Sequence, residues 1–244
     1  MNPAQLLAAG KLKEAIAALG AEIRQNPTDT RRRIFLFELL AFAGEFDRAA
    51  KHLNVLAEAN HDAELGALLY RSALAAERQR QQIFQERSYP AGSGSAGPGT
   101  LNGKPFQTIE DADARIGQRL EIFVAGEYVW LPFEHIGSIK MEAPRLLRDL
   151  IWATATVATG PSFKGRDLGE VIVPVLYPQS FRHASEEVKL GRATEWEDTP
   201  DGPVPFGLKM LLVDGEELVP YLEIRQLRFR SAEAPLETLV APAP

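Results

Sequence analysis

The chain has 244 residues, a formal net charge of -6 and no cysteine. The absence of cysteine excludes disulfides, thiolate metal sites and cysteine nucleophiles, and it fits a reducing cytoplasm. The acidic balance argues against non-specific attraction to nucleic acid or to an anionic membrane. The N-terminus lacks the pattern of a signal peptide, and no apolar run approaches the length of a membrane span. We therefore expect a cytoplasmic protein.

The first part of the chain is predicted to be helical. Asn2 and Pro3 are typical of a helix start, and a second helix is expected from about Leu12, with apolar residues at helical spacing. The stretch 33–57 follows, as a helix that is apolar on nearly every side, a break at Gly44 and an amphipathic helix. A helix that is apolar all round is covered by neighbours on several sides.

A repeat of 34 residues relates these helices. Shifted by this distance, six residues coincide with identical ones: Leu6 with Leu40, Ala9 with Ala43, Gly10 with Gly44, Ala15 with Ala49, Leu19 with Leu53, and Asn26 with Asn60. Thirty-four residues is the tetratricopeptide period. A less regular third unit is expected in the helix that follows, with these residues facing inward: Leu65, Leu68, Leu69, Ala73 and Ala76.

Stacked helical hairpins form a face that can receive a helix or a peptide. If a repeat begins near residue 30, the inner-face positions, and so the predicted partner-binding residues, are Arg31, Ile34, Glu38, Ala41, Phe42, Leu65 and Leu68. The alternative for Ile34 and Phe42 is plain core packing. The alternative for Arg31 is solvation of a helix end.

The composition divides the chain into regions. Residues 1–87 are predicted to be a TPR-like helical repeat domain, and residues 88–104, rich in Gly and Pro, a linker. From 105 to 231 the apolar period changes to two, which predicts an α+β domain with a mainly antiparallel, curved sheet. Residues 232–244 are predicted to be a disordered tail. The fold class is therefore α+β.

The sheet region contains seven predicted strands and two short helices. Strands are expected at Arg119–Ala125, Tyr128–Leu131, Ile136–Glu142, Ala153–Thr159, Glu170–Leu176, Leu208–Val213 and Tyr221–Phe229, and short helices at Pro144–Ile151 and Ser185–Leu190.

No motif for catalysis, a cofactor or a metal is evident. The four histidines lie far apart and form no ligand pattern. Asp111, Asp113 and Arg115 form a charged cluster that fits either an acid/base site or a locally paired turn, and we favour the turn. The acidic run Glu195–Asp198, which contains a tryptophan, fits an exposed loop or a partner contact.

Several stretches form patterns that are distinctive in combination. The pattern LxxGxLxEAIxxLxxxIRxNPxDxRxRxFLFELLxFxGEFDRAxxxL covers Leu7 to Leu53. Further stretches are DADARIGxxLE (111–121), YVWLPFEHI (128–136), PRLLRDLIW (144–152), VPVLYPQS (173–180) and LGRATEW (190–196). Together these stretches resemble the ImpE/TagJ (SciE-type) family of type VI secretion accessory proteins. The resemblance spans nearly the whole chain apart from the linker and the tail.

The resemblance implies a non-enzymatic cytoplasmic accessory of a contractile secretion machine, without cofactor. The implied partners are a helical segment of the small, TssB-type sheath subunit and the ClpV-type AAA+ ATPase that recycles the sheath. Two rivals remain open at this point. One is a general TPR-like interaction scaffold, and the other is an enzyme with a carboxylate site formed by Asp111, Asp113, Arg115 and Glu121.

Overall fold

Five α-helices form the first part of the protein. The computed structural model describes residues 1–58, 61–92, 94–160, 163 and 168–230. The helices are α1 (Pro3–Ala8), α2 (Leu12–Gln25), α3 (Thr30–Phe42), α4 (Phe46–Ala57) and α5 (His61–Glu86). Each packs against the next along the chain. This is the arrangement expected of a TPR-like module.

Local signals begin and end these helices. Asn2 starts α1 with a capping box, in which its side chain accepts from the N–H of Gln5 at 2.9 Å and the Gln5 side chain accepts from the N–H of Asn2 at 3.0 Å. Asp29 caps α3 through a backbone N–H three residues on. Gly10 and Gly44 follow α1 and α3 with φ of +74° and +71°, a conformation that favours glycine. The repeat thus keeps the residue that each turn requires.

Helix α5 presents a different face from the one predicted. Leu65, Leu68 and Leu69 were expected to face inward, but they are exposed, whereas Ala73 and Ala76 are buried as predicted. The stripe that does face inward is Ala67, Ala73, Leu74, Ala76, Glu77, Arg80 and Phe84. The prediction for the three leucines was wrong because the start of α5 borders an open pocket beside the sheet, so no packed side chains cover them there.

Thirteen strands lie in the described part of the chain beyond α5. They are β1 (Gly99–Leu101), β2 (Lys104–Phe106), β3 (Ile109–Asp111), β4 (Arg119–Val124), β5 (Glu127–Pro132), β6 (Ile136–Met141), β7 (Trp152–Thr159), β8 (Gly169–Pro174), β9 (Thr194–Thr199), β10 (Gly202–Gly207), β11 (Met210–Val213), β12 (Glu217–Pro220) and β13 (Gln226–Phe229). A short helix, α6 (Glu186–Lys189), precedes β9.

The strands form three antiparallel sheets. The largest has the order β2-β1-β13-β6-β7-β8-β4-β5, a three-stranded sheet has the order β12-β11-β3, and β9 pairs only with β10 among the described strands. The predicted α+β class with a mainly antiparallel sheet is confirmed. Two predicted elements differ in detail. The helix expected at Pro144–Ile151 is a 3-10 turn at Leu147–Leu150, and the strand expected at Tyr221–Phe229 divides into a 3-10 turn and β13.

Part of the predicted linker belongs to the sheet. Strand β1 pairs with β13, so the end of the segment 88–104 is an edge hairpin of the large sheet. The preceding residues are also held, because Arg119 Nη1 donates to the carbonyls of Pro90 and Gly92 at 3.1 and 2.9 Å. Gly and Pro suit this tight path along an edge as well as they suit a linker. The predicted tail, 232–244, lies outside the described residues.

At β4, the large sheet is buried on both faces. In β4, Leu120 and Ile122 join a core with strands of the other sheets, whereas Phe123 belongs to the core that contains the helices. Trp130 and Trp152 lie in that helical core too. The alternation along β4 therefore sets one face of the sheet against the helical module.

Candidate partner-binding surface

Three of the seven predicted groove residues are covered by the protein's own second part. Glu38, Ala41 and Phe42 are buried. Glu38 Oε1 accepts a hydrogen bond from Arg148 Nη1 at 2.9 Å, and the Arg148 guanidinium lies 5.1 Å from the centre of the Tyr70 ring. Arg148 lies in the turn before β7. The expectation that these three residues face an open groove is therefore corrected. The part of the chain that contains the strands, residues 99–229, packs against this side of α3, and we call it the sheet domain.

An aromatic cluster extends the same contact. The ring of Trp152, the first residue of β7, lies 6.3 Å from the rings of both Phe37 and Tyr70. Its Nε1 donates to Glu77 Oε2 at 2.9 Å, so the polar end of the buried indole is satisfied. Residues of α3, α5 and β7 thus form one continuous core.

The α6 segment supplies caps that the first helical hairpin lacks. Helix α2 has no side-chain cap of its own, and Glu186 Oε1 accepts from the N–H of Lys13 in its first turn at 3.0 Å. Arg192 donates to the carbonyls of Leu7 and Ala8, at the end of α1, at 2.7 and 3.3 Å. A carboxylate at a helix N-terminus and a guanidinium at a C-terminus also complement the helix dipoles.

The turn at Gly44, between α3 and α4, is held by an aromatic residue. Phe181 packs edge-on against Phe46 with ring centres 5.8 Å apart, and its ring lies directly over Gly44. The two turn glycines of the repeat, Gly10 and Gly44, therefore face segments of the sheet domain. This contact explains why a side chain is excluded there in addition to the positive φ.

An exposed apolar surface remains on α5. Leu65 and Leu68 are 54% and 58% exposed. With Leu69 they line a pocket of about 350 Å³ whose other wall is formed by the sheet, including Trp152 and Ile172. We call this the α5 pocket. Two predicted partner-binding residues thus lie together on an open surface. Arg31 is exposed and Ile34 is half-buried at the start of α3, and neither lines the pocket.

A buried charge network joins α5 to the sheet. Arg80 donates to both carboxylate oxygens of Glu121 at 2.7 and 3.0 Å, to Glu77 at 3.1 Å and to the carbonyl of Leu176 at 2.9 Å. Arg80, Glu77 and Glu121 are almost completely buried. A buried charge is tolerated only when it is paired and fully hydrogen-bonded, as it is here.

Lys209 extends the network to the three-stranded sheet. Its ammonium group pairs with Glu121 and with Asp111, the latter at 2.8 Å. Asp111 also accepts a hydrogen bond from the hydroxyl of Tyr221 at 2.9 Å. Two cations thus stand against three carboxylates, all out of contact with solvent. The network links residues that are far apart in sequence and holds the helical module on the sheet.

The proposed carboxylate site does not form an open centre. Asp111 and Glu121 are buried in this network, and neither lines the α5 pocket. Asp113 is paired locally, since its Oδ1 accepts from the N–H and Nε of Arg115 at 3.0 and 2.8 Å. The cluster therefore has the geometry of the locally paired turn that we favoured.

Sequence reasoning missed Arg80 and Lys209 as organising residues. A signal was present for Arg80, which follows Ala73 and Ala76 on the inward stripe of α5. Lys209 is a lone cation in the otherwise apolar run Leu208–Val213. Neither position indicates its partner, because the contacts are not local.

The network predicts a pH dependence of stability. Burial raises the pKa of Asp111 to about 6, although the charge of Lys209 opposes the rise. Burial also raises the pKa of Glu121, but the charges of Arg80 and Lys209 outweigh this effect and lower it to about 2. A raised carboxyl pKa stabilises the fold below the unfolded pKa, and this contribution is lost as pH rises through about 6. The lowered pKa of Glu121 stabilises the fold above about pH 4.5, and this contribution is lost as pH falls through about 2.

The free energy of unfolding of the protein should therefore fall as pH rises from about 4.5 to 7. In the Asp111→Asn variant, which lacks the titrating carboxyl group, this fall should be smaller by about 1–3 kcal/mol. Urea unfolding of both proteins at several pH values measures this difference. Parallel profiles for the two proteins would show that Asp111 does not titrate in this range.

In the part of the chain that the structure describes, no group of three or more His, Asp or Glu residues is arranged to hold a metal ion. Among the described helices, none is long and apolar enough to cross a membrane.

Comparison with known proteins agrees with this architecture. The family described as ImpE protein matches residues 103–239, and a tetratricopeptide repeat family matches residues 6–76. The chain is 32% identical, over 267 aligned positions, to the type VI secretion system accessory component TagJ of Pseudomonas aeruginosa, and the alignment covers 94% of this chain and 92% of TagJ.

A crystal structure of protein VPA1032 from Vibrio parahaemolyticus has the same fold, with a TM-score of 0.80 at 22% identity, over 94% of this chain and 97% of that one. The family match covers more than half of the chain, and the similarity to TagJ extends over nearly all of it. The chain belongs to the ImpE family.

Proposed function

We propose that this protein is a non-enzymatic cytoplasmic adaptor of a type VI secretion system. It binds a helical segment of the small, TssB-type sheath subunit and links that subunit to recycling by a ClpV-type AAA+ ATPase. The observation that carries the proposal is the exposed apolar surface of the α5 pocket on the helical-repeat module. The similarity to an accessory component named TagJ supports the choice of system.

The α5 pocket suits an amphipathic helix. Leu65, Leu68 and Leu69 offer three large apolar side chains within about one turn of α5, and the opposite wall is mainly apolar and includes Trp152. A partner helix docks into such a groove through apolar residues at spacings of three and four. A few buried anchors of this kind carry most of the affinity in protein interfaces.

Charge at the pocket defines the partner further. Glu170 lines the pocket and is exposed. A basic residue beside the apolar stripe of the partner helix would therefore fix its direction. Arg31 and Ile34 stay in the proposal as contacts at the start of α3, because both keep solvent exposure. Glu38, Ala41 and Phe42 contribute indirectly, by holding α3 against the sheet domain.

We expect Leu68→Glu to weaken binding of the purified sheath subunit by at least about tenfold, because it places a charge among the apolar anchors. The matched control is Val55→Glu, since Val55 is also apolar and 45% exposed but does not line the α5 pocket. Isothermal titration calorimetry, with circular dichroism to confirm folding, measures both variants.

Two results would contradict the proposal. One is unchanged binding by Leu68→Glu, which would move the interface away from the α5 pocket. The other is equal binding of a sheath subunit that lacks its N-terminal helix, which would remove the helix as the docking element. The same titration repeated with the purified ATPase present tests the link to recycling.

A further inference from the structure

The hairpin formed by β9 and β10 stands apart from the other sheets. We call residues 194–207 the acidic hairpin. It contains Glu195, Glu197, Asp198 and Asp201 but no Lys or Arg. Trp196 is 41% exposed. The run that the sequence suggested as an exposed loop or a partner contact is therefore a strand. Asp201, in the turn of the hairpin, pairs with Arg87, so the negative charge that faces solvent is that of Glu195, Glu197 and Asp198 on β9.

Two prolines make the edges of this hairpin unequal. Pro203 pairs with Asp198 and Pro205 pairs with Trp196. Proline has no N–H, so these are the non-hydrogen-bonded pairs of the antiparallel ladder, and the residues between them carry its hydrogen bonds. The outward positions of β10 at 203 and 205 therefore offer no donor. Proline at such positions protects a strand edge from pairing.

The outer edge of β9 has no such protection. In a ladder of this register, the N–H and C=O groups of Trp196 and Asp198 point away from β10. Among the described residues, no strand pairs with β9 other than β10, and no backbone hydrogen bond reaches these two residues. Within the described part of the chain, one edge of the acidic hairpin is blocked and the other is open.

The hairpin is held in place on its inner side. The His183 ring lies 5.6 Å from the Phe206 ring, and its Nε2 lies 3.7 and 3.5 Å from the carboxylates of Glu195 and Glu197. His183 Nδ1 accepts from the N–H of Ser185 at 3.1 Å, which orients the ring. A preformed edge of this kind binds a strand at a lower entropic cost than a flexible loop would.

We propose that the open edge of β9 binds an extended basic segment of a partner protein as a third strand. Backbone groups of Trp196 and Asp198 bind the segment, and its Lys or Arg side chains pair with Glu195 and Glu197 on one face. On the other face, an apolar side chain of the segment lies against the ring of Trp196. This surface is separate from the α5 pocket, and the proposal does not depend on the sheath partner.

Charge complementarity selects this occupant over a second copy of the chain. Two β9 edges paired with each other would set carboxylates against carboxylates, and like charges directly opposite one another are destabilising. A basic strand reverses the sign of every one of these contacts. The charge of the open edge thus disfavours self-association and favours a cationic partner.

The test uses a labelled octapeptide that alternates lysine and valine, with a glutamate–valine octapeptide as the charge control. Binding is followed by fluorescence anisotropy at about 0.15 M salt, where weak long-range attraction is screened. Asp198→Pro removes the outward N–H without touching the ladder to β10, and Asp198→Asn removes the same charge but keeps the N–H. We expect the proline variant to bind the basic peptide at least about tenfold more weakly than the asparagine variant.

Hydrogen exchange supplies a second readout on the unaltered protein, in which the amides of Trp196 and Asp198 should slow when the basic peptide is added. Thermal unfolding confirms that both variants fold. Equal affinity of the proline and asparagine variants, equal binding of the acidic peptide, or undetectable binding of the basic peptide to the unaltered protein would each overturn the proposal. Self-association that Asp198→Pro abolishes would also overturn it, because the occupant would then be a second copy.

Discussion

Replacing Arg80 by methionine should lower the free energy of unfolding by about 3–5 kcal/mol, the range for breaking a buried ion pair by removing one partner. Methionine fills much of the same space but leaves Glu77 and Glu121 facing each other without the guanidinium that separates and pairs them. The carbonyl of Leu176 also loses its donor. Denaturant unfolding monitored by circular dichroism measures the loss.

Arg78→Met is the matched control. Arg78 lies on the same helix and pairs with Asp47 at 2.8 Å, but that carboxylate is 90% exposed. Such surface pairs contribute within about 1 kcal/mol. Adding Glu77→Gln to Arg80→Met should recover part of the loss, because Glu77 pairs with Arg80 in this network, whereas Glu121 keeps its pair with Lys209. Equal destabilisation by Arg80→Met and Arg78→Met would show that the buried network does not hold the two parts of the protein together.

Gly44→Ala should destabilise the protein by about 2–5 kcal/mol, the sum of two costs. A left-handed conformation costs a residue with a Cβ roughly 1–2 kcal/mol. The added methyl group also overlaps the ring of Phe181, and overpacking of this kind typically costs about 1–3 kcal/mol. The change in melting temperature and in the denaturation midpoint reports the total.

Gly10→Ala separates the two costs. Gly10 has nearly the same φ, but the group nearest to an added Cβ is the carboxylate of Glu187, at the end of a flexible side chain that can move aside. We therefore expect only the backbone cost of about 1–2 kcal/mol for this variant. If the two glycine variants lose the same stability, the packing of Phe181 over Gly44 adds nothing to the cost of the Gly44→Ala substitution.

Much of the helical module was predictable because its signals are local. Caps, turn glycines and helical spacing act within a few residues, so α1 to α4 lie where the sequence placed them. The strands β4, β7 and β8 were predictable for the same reason, since each is an apolar run with β-branched or aromatic residues. Strands β9 and β10 were not, because one is acidic and the other contains two prolines, and both compositions are typical of loops.

The binding surface was predictable only in part, because a helix face is open or covered according to what packs on it. Leu65 and Leu68 were identified as partner-binding candidates on the assumption that they lie in a groove of the repeat. They lie instead on the outer side of α5, beside the sheet. Phe42 and Glu38 satisfy the repeat pattern equally well, yet they are buried against residues of the second domain.

By itself, the sequence determined the helical period, the turns that need glycine, the α+β class and the family. The tertiary structure alone decided which faces stay exposed and which charges are buried together. Glu121 meets Arg80 across 41 residues and Lys209 across 88, and Glu38 meets Arg148 across 110. Contacts at such separations depend on how the sheet domain closes over the helices, and no local preference of the chain encodes that closure.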